Sequence, residues 1–358
     1  MIEKDRVAYT TQRLHDGKKA EIQAVLAVNN KDIMKLRIGV VPEHFSSPVF
    51  IYDQQGKFQA RGVDVEVVIC EAGTGDMVKR LQQGDLDLAF CVTEGLTTAV
   101  ANDPRPIRMV GTYVTSPLCW SVSTGFHSAH QGLDTLRNGT IGISRFGSGS
   151  HIMALYMADQ HQWPKTRSDE TTGADIEDTQ ERQGLQFRVL HNLPGLAQAA
   201  EKGEVDAFLW EVFTTKHLYK SQQLRPIGQV VPPWSSFTIG ARVHQLLDNP
   251  EGQLAVRRFL EVLNEAVQEF LAGMTQETKD NNGSEALPPS LRFLMERFHY
   301  SQADALAWFK TVRYPSDVRD ISRQELGQCI RILRNTGAIH NPDQTEDHLV
   351  DSQVAHWI

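Results

Sequence analysis

Short apolar runs alternate along the chain with polar segments of helical spacing. Strand-like runs fall at Leu36–Val41, Val63–Cys70, Leu86–Cys91, Ile107–Val114, Trp120–Ser123, Thr140–Ser144, Phe187–Leu190, Val205–Trp210 and Phe237–Ala241. Asp76–Gln83, Ser150–His161 and Leu196–Lys202 read as helices between them. A longer helix is predicted over Gln253–Leu271, where Val256, Phe259, Leu260, Leu263, Val267 and Phe270 return on one face. Such alternation predicts an α/β protein with helices on the faces of its sheets. From Pro288 onwards the pattern is helical. Ser301 with Asp304, and Ser322 with Glu325, have the S-x-x-D/E form of a capped helix start, and Gly337 fits a left-handed helix stop.

Polar stretches punctuate this plan. Residues 1–35 read as an N-terminal extension, 165–184 as a mobile surface insertion and 275–286 as a linker. The last residues, 339–358, are rich in Asp, Gln and His and are expected to fray.

Two segments repeat the same local pattern. Val65–Glu94 and Gln186–Glu211 both read strand, small-residue turn, short helix, then glycine, an acid, an apolar residue, aspartate, and a second strand. Gly84 matches Gly203, Asp87 matches Asp206, and Glu94 lies near the counterpart of Glu211. Each glycine suits a left-handed helix end. The repeat predicts two α/β lobes meeting at a cleft. Residues 36–123 with 235–274 would form lobe 1, and 124–234 lobe 2, with crossings at Ser121–Phe126 and Trp234–Gly240. A helical segment (287–338) and the tail (339–358) would follow.

Ligands of open α/β sheets sit beyond the carboxyl ends of the strands. That rule directs attention to residues that follow strands. The turn into the Ser150 helix presents the Ser148, Gly149 and Ser150 amides at the positive end of a helix dipole, where anions bind. Thr74 and Gly75 occupy the equivalent turn of lobe 1. Glu94 and Glu211 would hold an amine or amidine-like group, or pair with cations at lobe closure. Trp120 and Trp234 would supply aromatic walls, with Trp210, Phe213 and Tyr113 nearby. Ser116 and His44 complete the candidates. The plainer readings are a small-residue turn, solvated glutamates, core aromatics and an exposed loop histidine.

Composition narrows the function classes. The chain has 36 Lys+Arg against 44 Asp+Glu, a net charge of −8, with no basic cluster of the kind a nucleic-acid binder carries. Cys70, Cys91, Cys119 and Cys329 form no CxxC pair and read as reduced thiols. No apolar run approaches the roughly 20 residues of a spanning helix, and the first residues lack an apolar signal core. A cytoplasmic protein without membrane span is the expectation. The chain shows no Walker, GxSxG or GxGxxG motif. His127 with His130 and His151 with His161 lack further ligands, so neither metal nor cofactor is expected.

The runs Leu36-Arg-Ile-Gly-Val-Val-Pro-Glu-His-Phe, Gly111-Thr-Tyr-Val-Thr-Ser-Pro-Leu-Cys-Trp-Ser and Ser144-Arg-Phe-Gly-Ser-Gly-Ser carry a family resemblance. From Leu36 to Ala241 the chain resembles the type II periplasmic-binding-protein fold of the sulfonate, nitrate and thiamine-pyrimidine group. It is most similar there to an intracellular fungal branch of solute-binding-protein-like proteins typified by a Candida protein. The resemblance implies a non-catalytic, hinge-closing binder of a small anionic or heteroaromatic ligand, such as a sulfonate or a thiamine-precursor pyrimidine. The same fold includes a fungal pyrimidine phosphate synthase, which implies an alternative. That enzyme has a pyridoxal-phosphate lysine, a histidine four residues later and a cysteine-rich run. Here those positions read Cys91, Gly95 and Trp234-Ser235-Ser236-Phe237, which argues against that chemistry. The C-terminal helices are a candidate oligomer contact.

Overall fold

The structure, a computed structural model, describes residues 34–163, 181–182, 184–276, 278–279 and 285–358. The proposed extension (1–35) and insertion (165–184) lie almost wholly outside the described residues. Lobe 1 begins with β1 (Leu36–Val40), α1 (Ser47–Gln54), α2 (Lys57–Ala60), β2 (Val65–Ile69), α3 (Thr74–Gln83), β3 (Leu88–Val92), α4 (Thr93–Asn102) and β4 (Ile107–Val114). Lobe 2 follows with β5 (Trp120–Gly125), β6 (Thr140–Ile143), α5 (Gly149–Gln160), β7 (Glu181–Arg182), β8 (Leu185–Val189), α6 (Leu193–Glu201), β9 (Ala207–Glu211), α7 (Val212–Lys220) and β10 (Leu224–Val230). The chain then returns to lobe 1 as β11 (Phe237–Arg242) and α8 (Pro250–Thr275).

The two large sheets run β2-β1-β3-β11-β4 and β10-β5-β9-β6-β8-β7. Set side by side, β2-β1-β3 corresponds to β8-β6-β9. Each trio is parallel, and each gains an antiparallel strand beside its third member, β11 in lobe 1 and β5 in lobe 2. The repeat seen in the sequence is therefore a repeat of topology. Gly84 and Gly203 both take positive φ, at 80° and 71°.

The crossings differ from expectation. Ser121–Phe126 is mostly β5, hydrogen-bonded between β9 and β10, and Phe237–Gly240 is already β11. The lobes are joined instead by 115–119 and 231–236, so lobe 2 runs from 120 to 230. Strand β10 went unread because Pro226 and Gly228 interrupt its pattern; it is an edge strand with a register shift between those residues, where a missing N–H is tolerated. Helix α4 has no clear helical pattern in the sequence because Thr, Gly and Val dilute it, and it carries Glu94 in its first turn rather than at a strand end.

After β12 (Thr278–Lys279) and β13 (Glu285–Ala286) come α9 (Pro289–Phe298), α10 (Gln302–Thr311), β14 (Asp320–Ile321), α11 (Arg323–Asn335), α12 (Glu346–Leu349) and β15 (His356–Trp357). Ser301 and Ser322 cap α10 and α11 as expected. The tail does not fray. Val350 bridges Met109 of β4, β15 pairs with β14, and Leu349, Val354 and Ala355 are buried. These apolar residues are outnumbered by polar neighbours, so composition concealed them. Against β4 the segment packs so closely that a Cβ on Gly111 would strike the Val318 carbonyl, which accepts the Thr112 amide at 2.8 Å.

The segment also fastens both crossings. Arg313 accepts the Thr115 and Ser116 amides through its carbonyl and donates its own amide to Ser116 Oγ at 3.1 Å. Glu325 Oε2 accepts the Ser235 amide and hydroxyl at 2.8 and 2.6 Å. Lys216 of α7 reaches Asp304 of α10 at 2.6 Å, tying the segment to lobe 2 as well.

Candidate functional site

A cavity of about 430 Å³ lies between the lobes, at the carboxyl ends of the central strands. Thr74, Trp120, Ser148, Gly149, Ser150 and Glu211 form its wall, together with Val41, Glu43, Glu71, Arg145, Asn192, Trp210, Thr214 and Phe237.

One part of the wall is the mouth of α5. Ser148 caps the helix by accepting the His151 amide at 3.4 Å, and its hydroxyl lies 2.9 Å from that of Ser150. Ser150 Oγ also accepts the Ser144 amide at 3.1 Å. The hydroxyls thus hold the loop together, while the Gly149 and Ser150 amides have no acceptor within the helix. At Gly149 a Cβ would stand 2.7 Å from the Trp120 ring and 3.1 Å from Glu94 Oε1, so only glycine fits here. Beside it Arg145 reaches across the cleft and donates to the Ala72 carbonyl of lobe 1 at 2.7 Å. Its guanidinium covers Gly75. Arg145 is therefore an inter-lobe latch and the nearest cation to the helix mouth, a role no local pattern announced.

A second part is acidic. Glu211 ends β9 and caps α7, its Oε2 accepting the Thr214 amide and hydroxyl at 2.7 and 2.8 Å. Burial pushes its pKa up to about 7 against the pull of the Phe213 and Thr214 amides. Glu43 follows β1 and enters the same space; burial, and then the charge of Glu211, push it up to about 7. Glu43 and His44 are adjacent in the loop after β1, and no local pattern shows which of them enters the cavity.

The remaining candidates lie elsewhere. Glu94 sits beneath the α5 mouth, 1% exposed, with Oε2 accepting the Trp234 indole N–H at 3.1 Å and Oε1 unpaired. Burial pushes it up to about 7. Trp234 is buried behind the wall with it, and Gly75 lies under Arg145 rather than on the wall. Ser116 belongs to the first crossing and its Arg313 contact. His44 is buried among Phe45, Phe298, Tyr300 and Trp308, its Nδ1 paired with the Tyr300 hydroxyl at 2.8 Å. Burial pushes its pKa down to about 3, so it is neutral at pH 7. Of the other aromatics, Trp210 lines the cavity, Tyr113 is core and Phe213 packs beside His44 and Lys216. Cys91 is buried inside β3, and among the described residues no lysine lines the cavity.

The surroundings of the site match known proteins. Residues 120–230, all of lobe 2, match the family model of Ca3427-like periplasmic binding proteins. The Candida albicans CA3427 gene product, described as having the generic periplasmic binding protein fold, superposes with a TM-score of 0.73 at 26% identity, covering 89% of this chain and 96% of that one. The alkanesulfonate-binding protein SsuA from Xanthomonas axonopodis pv. citri, bound to MOPS, gives 0.62 at 15% identity over 90% and 98% of the two chains. The periplasmic aliphatic sulphonate binding protein SsuA from Escherichia coli gives 0.59 at 13% over 88% and 92%. No curated protein matches the chain. Among the described residues no helix is long and apolar enough to cross a membrane. The chain has the two-lobe fold of the periplasmic binding proteins, and its second lobe is similar to the Ca3427-like model.

Proposed function

We propose that this chain encloses a small ligand bearing an anionic group, a sulfonate foremost, by closing its lobes on the cavity. The observation that carries the reading is the α5 mouth, whose Gly149 and Ser150 stand on the wall of the inter-lobe cavity beside the latch residue Arg145. Donors of this kind recognise sulfonate, phosphate or carboxylate oxygens without titrating. The two SsuA proteins of the same fold, one of them holding a sulfonate buffer, support the choice of anion. Thr74, Trp120, Ser148, Ser150 and Glu211 are the further contacts in this reading. Calorimetric titration with alkanesulfonates, phosphates and carboxylates tests it. At least one class should bind, and Arg145→Ala should weaken that binding about tenfold, equal to about 1.4 kcal/mol. Undiminished binding by the variant would place the anion elsewhere.

A second reading follows from the aromatic walls Trp120, Trp210 and Phe237, which suit a flat heterocycle such as a thiamine-precursor pyrimidine. Turnover of such a compound on incubation would make the protein an enzyme. Intact recovery would keep it a binder.

A further inference from the structure

Of the three acidic side chains on the cavity wall Glu71 is exposed, and the other two, Glu43 and Glu211, come from different lobes. Glu43 leaves the end of β1 in lobe 1, and Glu211 ends β9 in lobe 2. Both line the cavity, and the charge of Glu211 opposes ionisation of Glu43. Two carboxyls that share one cleft repel unless a cation or a proton joins them.

No cation of the protein does so. Among the described residues neither carboxyl forms an ion pair with lysine or arginine. Lys216 of α7 acts on Glu211 from a distance, but its ammonium is taken by Asp304. Arg145 is turned to the Ala72 carbonyl. On the far side of Glu211, His44 Nε2 lies 4.0 Å from Oε2, too far for a hydrogen bond, and is buried without a partner. The other titratable groups acting here, the Tyr300 hydroxyl and the Cys119 thiol, are neutral at pH 7. Glu211 Oε2 accepts from the Thr214 amide and hydroxyl, neutral donors that leave its charge unbalanced. In the cavity Trp210 and Phe237 stand close by, and such rings suit a positively charged nitrogen.

We infer that the ligand carries a protonated nitrogen as well as its anionic group, the nitrogen held by Glu43 and Glu211, so that the cleft selects a small zwitterion. The inference rests on the anion-binding reading above. The two sites are neighbours in lobe 2, since β6, which leads to the α5 mouth, pairs with β9, which ends in Glu211. A ligand a few bonds long spans them.

Binding is compared for three probes of matched length on the full chain: propane-1-sulfonate, 3-aminopropane-1-sulfonate and propan-1-amine. The aminosulfonate should bind at least tenfold more tightly than propane-1-sulfonate at pH 8. That ratio should shrink at pH 5.5, where Glu43 and Glu211 take up protons. At pH 7 its binding should release protons, seen as different heats in buffers of different ionisation enthalpy. Glu43→Gln and Glu211→Gln should each reduce the ratio. Equal affinity for the two sulfonates in the wild-type chain would overturn the zwitterion and leave the anion reading standing. Binding of propan-1-amine without either sulfonate would keep the acidic site and overturn the anion. Silence with all three would overturn both, and because the wild-type ratio is the primary measurement, a misfolded variant does not obscure the result.

Discussion

In lobe 1 the Asp87 carboxylate accepts the Arg37 amide at 2.8 Å, at the start of β1, while the Asp87 amide returns a bond to the Arg37 carbonyl. In lobe 2 Asp206 does the same for Thr140 at the start of β6, at 2.7 Å. Beyond the strands the parallel continues. The first amide of α4 goes to the Ser236 carbonyl of one crossing, and the first amide of α7 to the Cys119 carbonyl of the other. The lobes part where the cleft begins. The loop after β1 holds Glu43 and His44, whereas the loop after β6 holds Arg145 and the α5 mouth. One scaffold thus presents an acid from one side and a cation with helix amides from the other. The duplicated parts are those that hold strands in place, and the divergent parts face the cleft.

The largest expected effect concerns the acids in and beneath the cavity wall. Glu43, Glu94 and Glu211 have pKa values raised from 4.5 to about 7, so the folded protein holds protons that the unfolded chain releases. Their contribution is fully present below about pH 4.5 and is lost as pH rises through 7, at about 3 kcal/mol per carboxyl. His44, lowered from 6.5 to about 3, works oppositely and removes stability as pH falls below 6.5. Three groups outweigh one, so the unliganded protein should melt several degrees lower at pH 8 than at pH 5.5. A flat melting profile would show that water reaches the acids.

Next in size is the contrast between the two aspartates. Asp87 is 2% exposed and bonds Arg37 and Arg242, at 2.9 and 2.7 Å. Asp206 is 38% exposed at its side chain and faces His130. Asp87→Asn should cost about 3 kcal/mol in urea unfolding, and Asp206→Asn about 1. Equal losses would mean that the strand-start amide, common to both, carries the whole effect.

Smallest in stability, though decisive for binding, is Gly149→Val. Its methyls would press on Trp120 and Glu94, an overpacking cost of about 1–3 kcal/mol, and would close the α5 mouth. Melting should fall by a few degrees and the thermal response to sulfonate should vanish. A retained response would move the anion away from α5.

Much of this architecture was legible because the repeat is local. A glycine in left-handed conformation and an aspartate that returns to its own sheet require nothing from distant residues, so Gly84–Asp87 and Gly203–Asp206 stood out. The α5 mouth was legible for the same reason, since Ser148 caps its own helix. Other parts depended on contacts the sequence does not display. Glu94 looked like the end of a strand, yet α4 begins one residue earlier and turns it under the wall. Arg145 resembles any turn arginine until Ala72 stands opposite. Ser116 follows a strand and Trp234 stands in a crossing, yet Arg313 takes the one and Glu94 the other, contacts that no local pattern displays.

The grip of Arg313 and Glu325 on the two crossings has a kinetic consequence. A pair of connecting strands left free can bend with little resistance, and a ligand then leaves at the pace of that bending. Here both strands are fastened to one outside body, which itself holds α7 through Asp304. Opening the lobes must shear those fastenings together, so the barrier to release resides some distance from the cavity. On the proposed reading, the C-terminal segment would then set how long a ligand stays and the cleft which ligand enters.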